Sequence, residues 1–439
     1  MSQRTAERAD EYVPGHGDLR FDVLSYALTL RYGVADNRLT GRAVLRCRVA
    51  RDTDRLVLDL HRLSVSKVTV DGVRPAKYAH RGGRLEVRLQ RPATAGDELT
   101  VAVGYSGRPA PVGGPLGDAG WEELADGVIV AAQPHGAPSW FPCNDRPSDK
   151  ASYVVELTAP TAYHVLCNGV LVEQRRGAST TTWRYEQSEP MATYLATVQI
   201  GRYTVRRLAD EPVPVEIVFP DAIRDRSDGP FARQGEMMST FVRLFGDYPF
   251  QAPYRSVVTE DDLEIPLEAQ GLSIFGANFL EDDWSTERLV AHELSHQWFG
   301  NSLTIRSWRD IWMHEGFACY SEWLWSEESG RESADAKARE HWKRLDDLPQ
   351  DLMLGDPGPD DMFDDRVYKR GALLLHALRL TMGDDTFFEC LRTWVAAHRH
   401  GSVDRAELAA LVVERGGSAC ADLMTAWLDE LSLPELPPA

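Results

Sequence analysis

In the run Leu289-Val290-Ala291-His292-Glu293-Leu294-Ser295-His296-Gln297-Trp298-Phe299-Gly300-Asn301, two histidines stand four positions apart with a glutamate beside the first. On a helix this spacing sets both imidazoles on one face, one turn apart, where they can share a tetrahedral metal ion. Glu293 is then placed to take a proton from a water that such an ion acidifies. The pattern suits zinc, which in catalytic sites takes three protein ligands and keeps a fourth position open. The bland reading is a helix with two incidental histidines. It is costly, because the same helix buries Leu289, Leu294, Trp298 and Phe299, and polar rings among them need partners. Ser285 or Thr286 can cap the start of this helix, Glu287 suits its N-terminal dipole, and Gly300 can end it.

The next helical run is Ile311-Trp312-Met313-His314-Glu315-Gly316-Phe317-Ala318-Cys319-Tyr320-Ser321-Glu322. Eighteen residues separate His296 from Glu315, and the glutamate opens an E-G-F-A segment. This arrangement resembles the gluzincin aminopeptidases, the family of aminopeptidase N and leukotriene hydrolase. The resemblance implies that Glu315 is the third ligand, that each chain holds one Zn2+, and that Glu293 is the catalytic base. Glu322, two turns further on the same face, resembles the family's carboxylate that orients a ligand histidine; the alternative is a solvated helix charge. His314 stands where the family usually has Asn. An exposed, fortuitous histidine is expected there, since a fourth ligand would close the catalytic position.

Three further matches extend the resemblance. Ile265-Pro266-Leu267-Glu268-Ala269-Gln270-Gly271-Leu272 occupies the place of the family's G-A-M-E-N motif, which implies that Glu268 grips the substrate's free amine. A carboxylate beside the metal would make an enzyme count from the N-terminus. Ile265 and Pro266 depart from Gly and Ala, and Pro266 has no N–H to offer an extended substrate. Val367-Tyr368-Lys369-Arg370-Gly371-Ala372 resembles the Y-x-K-G segment, so Tyr368 would donate its O–H to the oxyanion of a tetrahedral intermediate. Without the family context, Tyr368 reads as a core residue. Arg370 stands where Lys is usual and keeps the charge. Gln133, before the segment that ends in Pro147-Ser148-Asp149-Lys150-Ala151, either shares the amine with Glu268 or is a loop residue.

Positioning these groups takes more than one domain, and 439 residues suffice for two or three. From Asp18 to Val205 short alternating runs such as Leu56 to Leu60 and Thr100 to Val103 predict β-structure. After Asp210-Glu211-Pro212 the texture changes, and helical periodicity dominates from Ser285 to Leu431. The expected fold is α+β and multidomain: a tail over 1–14, an all-β sandwich over 15–207, and, from the resemblance, a thermolysin-like α+β catalytic domain over 208–439. The family's larger members carry a further C-terminal helical domain, and without it a more open cleft is expected.

A net charge of −19 argues against nucleic acid as a partner. Met1 to Glu11 contains no apolar core of a signal peptide, and no long uncharged apolar run suggests a membrane span. The six cysteines stand singly and form no C-x-x-C pair, so buried reduced thiols in a cytoplasmic protein are expected. The combined expectation is a zinc aminopeptidase acting on peptides with a free N-terminus. A zinc endopeptidase on the same scaffold is the nearest rival, and a silent peptide-binding module the remote one. The pocket for the first residue is expected near Leu267 and Met191.

Overall fold

Alternating apolar residues build the first strand, Phe21–Gly33, in which Phe21 and Val23 face inward. A bulge between Val23 and Ser25 shifts the phase by one residue, so Tyr26, Leu28, Leu30 and Tyr32 still reach the core. The computed structural model describes residues 10–226 and 229–438. The first strand lies inside a seven-stranded sheet, pairing parallel to Ala151–Pro160 and antiparallel to Arg38–Val49. A three-stranded sheet (Thr53–Asp59, Arg84–Ala93, Lys77–Arg81) and a five-stranded one complete the β domain. Their apolar faces share one core: Tyr32 of the large sheet meets Trp121 of the five-stranded sheet edge-on at 4.9 Å.

The second half of the chain starts with a mixed five-stranded sheet in the order Tyr203–Ala209, Val215–Pro220, Tyr254–Val258, Leu272–Phe275, Leu267–Ala269. Its first strand lies across the expected boundary at 207 and is placed in this sheet by its pairing with Val215–Pro220. The last strand, Leu267–Ala269, runs antiparallel to its neighbour at the sheet edge.

Eight α-helices accompany this sheet among the described residues: α1 (Gln234–Phe245), α2 (Trp284–Ser295), α3 (Trp312–Glu328), α4 (Ala334–Asp346), α5 (Asp365–Met382), α6 (Asp384–Ala397), α7 (Arg405–Gly416) and α8 (Ser418–Asp429). None is long and apolar enough to cross a membrane.

Helices α3 and α5 approach closely at two glycines. A Cβ on Gly371 would lie 2.9 Å from the Cα of Gly316, a contact with backbone that no side-chain rotation relieves. Gly371→Ala is therefore expected to lower stability by about 1–2 kcal/mol, although alanine favours helix. Denaturant unfolding measures this, and an unchanged midpoint would mean that the helices separate freely.

Of the expected tail, residues 1–9 lie outside the described residues, while Asp10 and Tyr12 bond residues of the chain's second half. Asp10 is buried and accepts the Trp308 N–H at 2.9 Å. Tyr12 donates its hydroxyl to Asp356 and accepts the Gly358 N–H. All six cysteines are buried and unpaired.

Candidate metal centre and cleft

Asp283, rather than Ser285 or Thr286, caps α2: its side chain accepts the Thr286 N–H at 3.1 Å. The helix carries His292 and Glu293 into the cleft and ends at Ser295. His296 follows as its C-cap and keeps helical dihedrals. Gly300, at φ +126°, then folds the chain back so that the Asn301 N–H reaches the His296 carbonyl at 2.9 Å. Glu315 lies in the first turn of α3, where the helix dipole favours a carboxylate, and Glu322 lies two turns later.

These elements bring the charged groups together. His292 Nε2 and His296 Nε2 lie 3.3 and 3.6 Å from Glu315 Oε2. His292 Nδ1 bonds Glu322 at 2.8 Å, and His296 Nδ1 bonds the Phe299 carbonyl at 3.0 Å. Each imidazole thus has its Nδ1 engaged and its Nε2 turned to the shared point. Glu322 also takes a hydrogen bond from Arg288 at 3.0 Å. Arg288 was not singled out from the sequence, although its place four residues before His292 puts it on the same helix face.

A metal ion fits this constellation. The ligand atoms of His292, His296 and Glu315 all lie within 4.8 Å of one another, and two imidazoles with one carboxylate form a donor set that zinc accepts. Glu293 Oε2 is enclosed and takes no hydrogen bond from the chain, which leaves one acceptor free beside the ligands.

Burial opposes charge throughout the site; neighbouring charges overcome it at His292, His296 and Glu315 but not at Glu268 or Glu293. Burial works against protonation of His292, but its hydrogen bonds to the Glu315 and Glu322 carboxylates raise it to about 9. Burial likewise opposes charge on His296, yet Glu268 and Glu315 raise it to about 10. Glu315 is held well below the usual carboxylate range: burial would lift it, and the two imidazoles overcome that. Burial raises Glu268 to about 8, with Glu315 and Glu293 adding to the rise against the pull of His296, and burial also raises Glu293.

Glu268 projects from the edge strand Leu267–Ala269 and accepts the Gln133 side-chain amide at 2.7 Å. Gln133 therefore reaches the cleft from the β domain, next to the carboxylate with which the sequence paired it. A cleft of about 280 Å³ is lined by both residues, the three candidate ligands, Glu293 and Tyr368. Tyr368 lies one turn into α5, its ring roughly parallel to that of His292 at 6.1 Å. Ile265, Pro266 and Leu267 form another wall, whereas Met191 is buried and does not line the cleft. A larger cavity of about 730 Å³, bordered by Arg20, Arg55, Lys77 and Arg88 in the β domain, contains none of these residues.

One expectation beside the ligands changes. His314 is fully buried, not exposed, and its Nε2 accepts the Ile305 N–H at 3.0 Å, so it belongs to the core rather than to the ligand set. Burial keeps it neutral, lowering it to about 3. Arg370 keeps the charge of the usual Lys but turns away from the cleft. Its guanidinium binds the carbonyls of Leu352, Trp427, Glu430, Leu431 and Ser432, fastening the chain beyond α8.

A β domain followed by a helical domain with this three-ligand site is the architecture of a two-domain metallopeptidase. Residues 23–195 match the peptidase M1 N-terminal domain, and residues 235–427 match the peptidase family M1 domain. The M1 zinc metallopeptidase of Deinococcus radiodurans is 30% identical and superposes with a TM-score of 0.89, covering 98% of this chain and 100% of that one. The chain belongs to peptidase family M1.

Aminopeptidase M1-B of Oryza sativa is 26% identical over 94% of this chain and 50% of its own length. Human glutamyl aminopeptidase is 26% identical over 70% of this chain and 34% of its own. This chain thus spans at most about half the length of these curated relatives.

Proposed function

We propose that this chain is a zinc aminopeptidase, binding one zinc per chain through His292, His296 and Glu315. The observation that carries the reading is the buried Glu268, whose carboxylate comes within 4.8 Å of the ligand atoms of Glu293 and His296. Carboxylates crowded in this way favour a cation, and a peptide's terminal ammonium held there presents its first carbonyl beside the metal ligands. The Deinococcus homologue, described with a Tyr-Ser-Ala substrate, supports peptides as the substrate class.

When bound, zinc supplies Lewis acidity and lowers the pKa of the attacking water. Glu293 accepts that water's proton and returns it to the leaving amine. Tyr368 donates its phenolic O–H to the oxyanion that develops on the attacked carbonyl. Gln133 holds Glu268 in place through the 2.7 Å hydrogen bond, and Glu268 fixes the substrate's N-terminus. Glu322 fixes the orientation of His292. The six buried, unpaired cysteines support a cytoplasmic location.

Acetylating a peptide's N-terminus removes the cation that Glu268 holds. On this reading kcat/KM falls about 100-fold or more, the scale of a lost charged contact together with lost positioning. Equal cleavage of both peptides would make the enzyme an endopeptidase and leave Glu268 without its role.

Glu322→Gln is expected to weaken zinc binding about 10- to 100-fold, as competition with a chromogenic chelator would read. Unchanged affinity would reduce Glu322 to a partner of Arg288 alone.

A further inference from the structure

The β domain reaches the zinc site through a residue that the proposed chemistry does not use. Lys150 follows the strand-free segment Asn144 to Asp149 and is partly buried. Its Nζ donates to three main-chain carbonyls of the second domain: Asn301 at 3.0 Å, Ser302 at 2.8 Å and Gly401 at 3.3 Å. Among the described residues no carboxylate pairs with it, so all its recorded partners are backbone. The neighbouring Tyr194, also of the β domain, donates its hydroxyl to the Gly300 carbonyl at 3.3 Å.

The loop held in this way touches both halves of the site. The Phe299 carbonyl fixes His296 Nδ1, and the Asn301 N–H bonds the His296 carbonyl. On its other side, the Asn301 side chain donates to the Ala269 carbonyl at 3.0 Å. Gln297 donates to the same carbonyl at 3.2 Å and accepts the Gly271 N–H at 2.8 Å. Ala269 is the neighbour of Glu268 on the short edge strand, which has a single strand partner.

We propose that Lys150 is a positioning residue: by clamping the Asn301–Ser302 carbonyls it sets the spacing between the amine anchor at Glu268 and the metal ligand His296. The proposal rests on the reading of Glu268 as the amine anchor. An edge strand of three residues has little rigidity of its own, and Gln297 and Asn301, which both follow α2, tie its Ala269 carbonyl to that helix's end. An amine that donates to carbonyls of two separate segments holds the Asn301 side of this tie more firmly than a single hydrogen bond could, although burial lowers Lys150 to about 7. The β domain thereby contributes to turnover through geometry as well as through Gln133.

The test uses the full-length, zinc-loaded protein with a free-amine peptide. Lys150→Met keeps the apolar stem and removes the donors. It is expected to lower kcat about 10- to 100-fold, as small misplacements of reacting groups do, with KM changed less than about 3-fold and zinc content unchanged. Asn301→Ala removes one of the two side-chain hydrogen bonds to the Ala269 carbonyl and leaves Lys150 in place. It should lower kcat in the same sense, and the double variant should be little worse than Lys150→Met alone, because both act through one path.

A Lys150→Met protein with wild-type kcat per zinc-loaded molecule overturns the proposal, whatever its melting temperature. So does a variant whose only defect is weaker zinc binding, or a double variant whose losses multiply. If Lys150→Met does not fold, Asn301→Ala decides alone: lowered kcat at constant KM supports the clamp, and an unchanged kcat refutes it. Failure of the Glu268 reading is recognised separately, by cleavage of an N-acetylated peptide by the wild-type enzyme.

Discussion

Replacing Glu293 with glutamine is expected to lower kcat about 10³-fold or more while the protein keeps its zinc. Glutamine fills the same space but accepts no proton, and general-base catalysis contributes on the order of 10²–10⁴ to rate. The proposed ligands are His292, His296 and Glu315, and Glu293 Oε2 takes no hydrogen bond from the chain, so the substitution breaks no hydrogen bond at that oxygen. Metal analysis alongside steady-state kinetics separates the two effects. Turnover close to wild type would remove Glu293 from the chemistry, and loss of zinc would make it a ligand.

Tyr368→Phe should be the next most damaging change. Removing one oxyanion donor costs on the order of 10²–10³ in kcat. The ring of Tyr368 runs roughly parallel to the His292 ring, and phenylalanine preserves that apolar contact. Burial is the largest reason that the phenol lies well above its ordinary range, with the carboxylates of Glu315, Glu268 and Glu293 adding to it. It therefore remains a protonated donor at any working pH. The expected signature is a lower kcat with KM nearly unchanged. A raised KM at constant kcat would recast Tyr368 as a substrate-binding residue.

The parts of the site that were legible in the sequence are those set by local spacing. His292, Glu293 and His296 sit within five consecutive residues, and the two-turn interval from Glu315 to Glu322 follows from helical periodicity alone. Glu268 and Tyr368 stood out through the family resemblance, because no local period links an edge strand and a distant helix to α2.

What escaped depends on long-range contacts. The exposure of His314 is settled by the Ile305 N–H, and the direction of Arg370 by carbonyls about sixty residues away in the chain. Asp283 took the cap because its side chain reached the Thr286 N–H, a competition among neighbouring polar residues that composition does not resolve. The strand Tyr203–Ala209 lies across the expected boundary because its place is set by pairing with Val215–Pro220, a contact that local pattern does not show. Residues 10–13 read as tail for a similar reason, since the partners of Asp10 and Tyr12 lie some three hundred residues later.

The proposed aminopeptidase activity stands or falls on the order in which a peptide is shortened. A decapeptide with a free N-terminus, incubated with the zinc-loaded protein and followed by mass spectrometry, should lose residues one at a time from that end. A chelator should stop the ladder, and added zinc should restore it. Fragments cut first at internal bonds would contradict the proposed aminopeptidase.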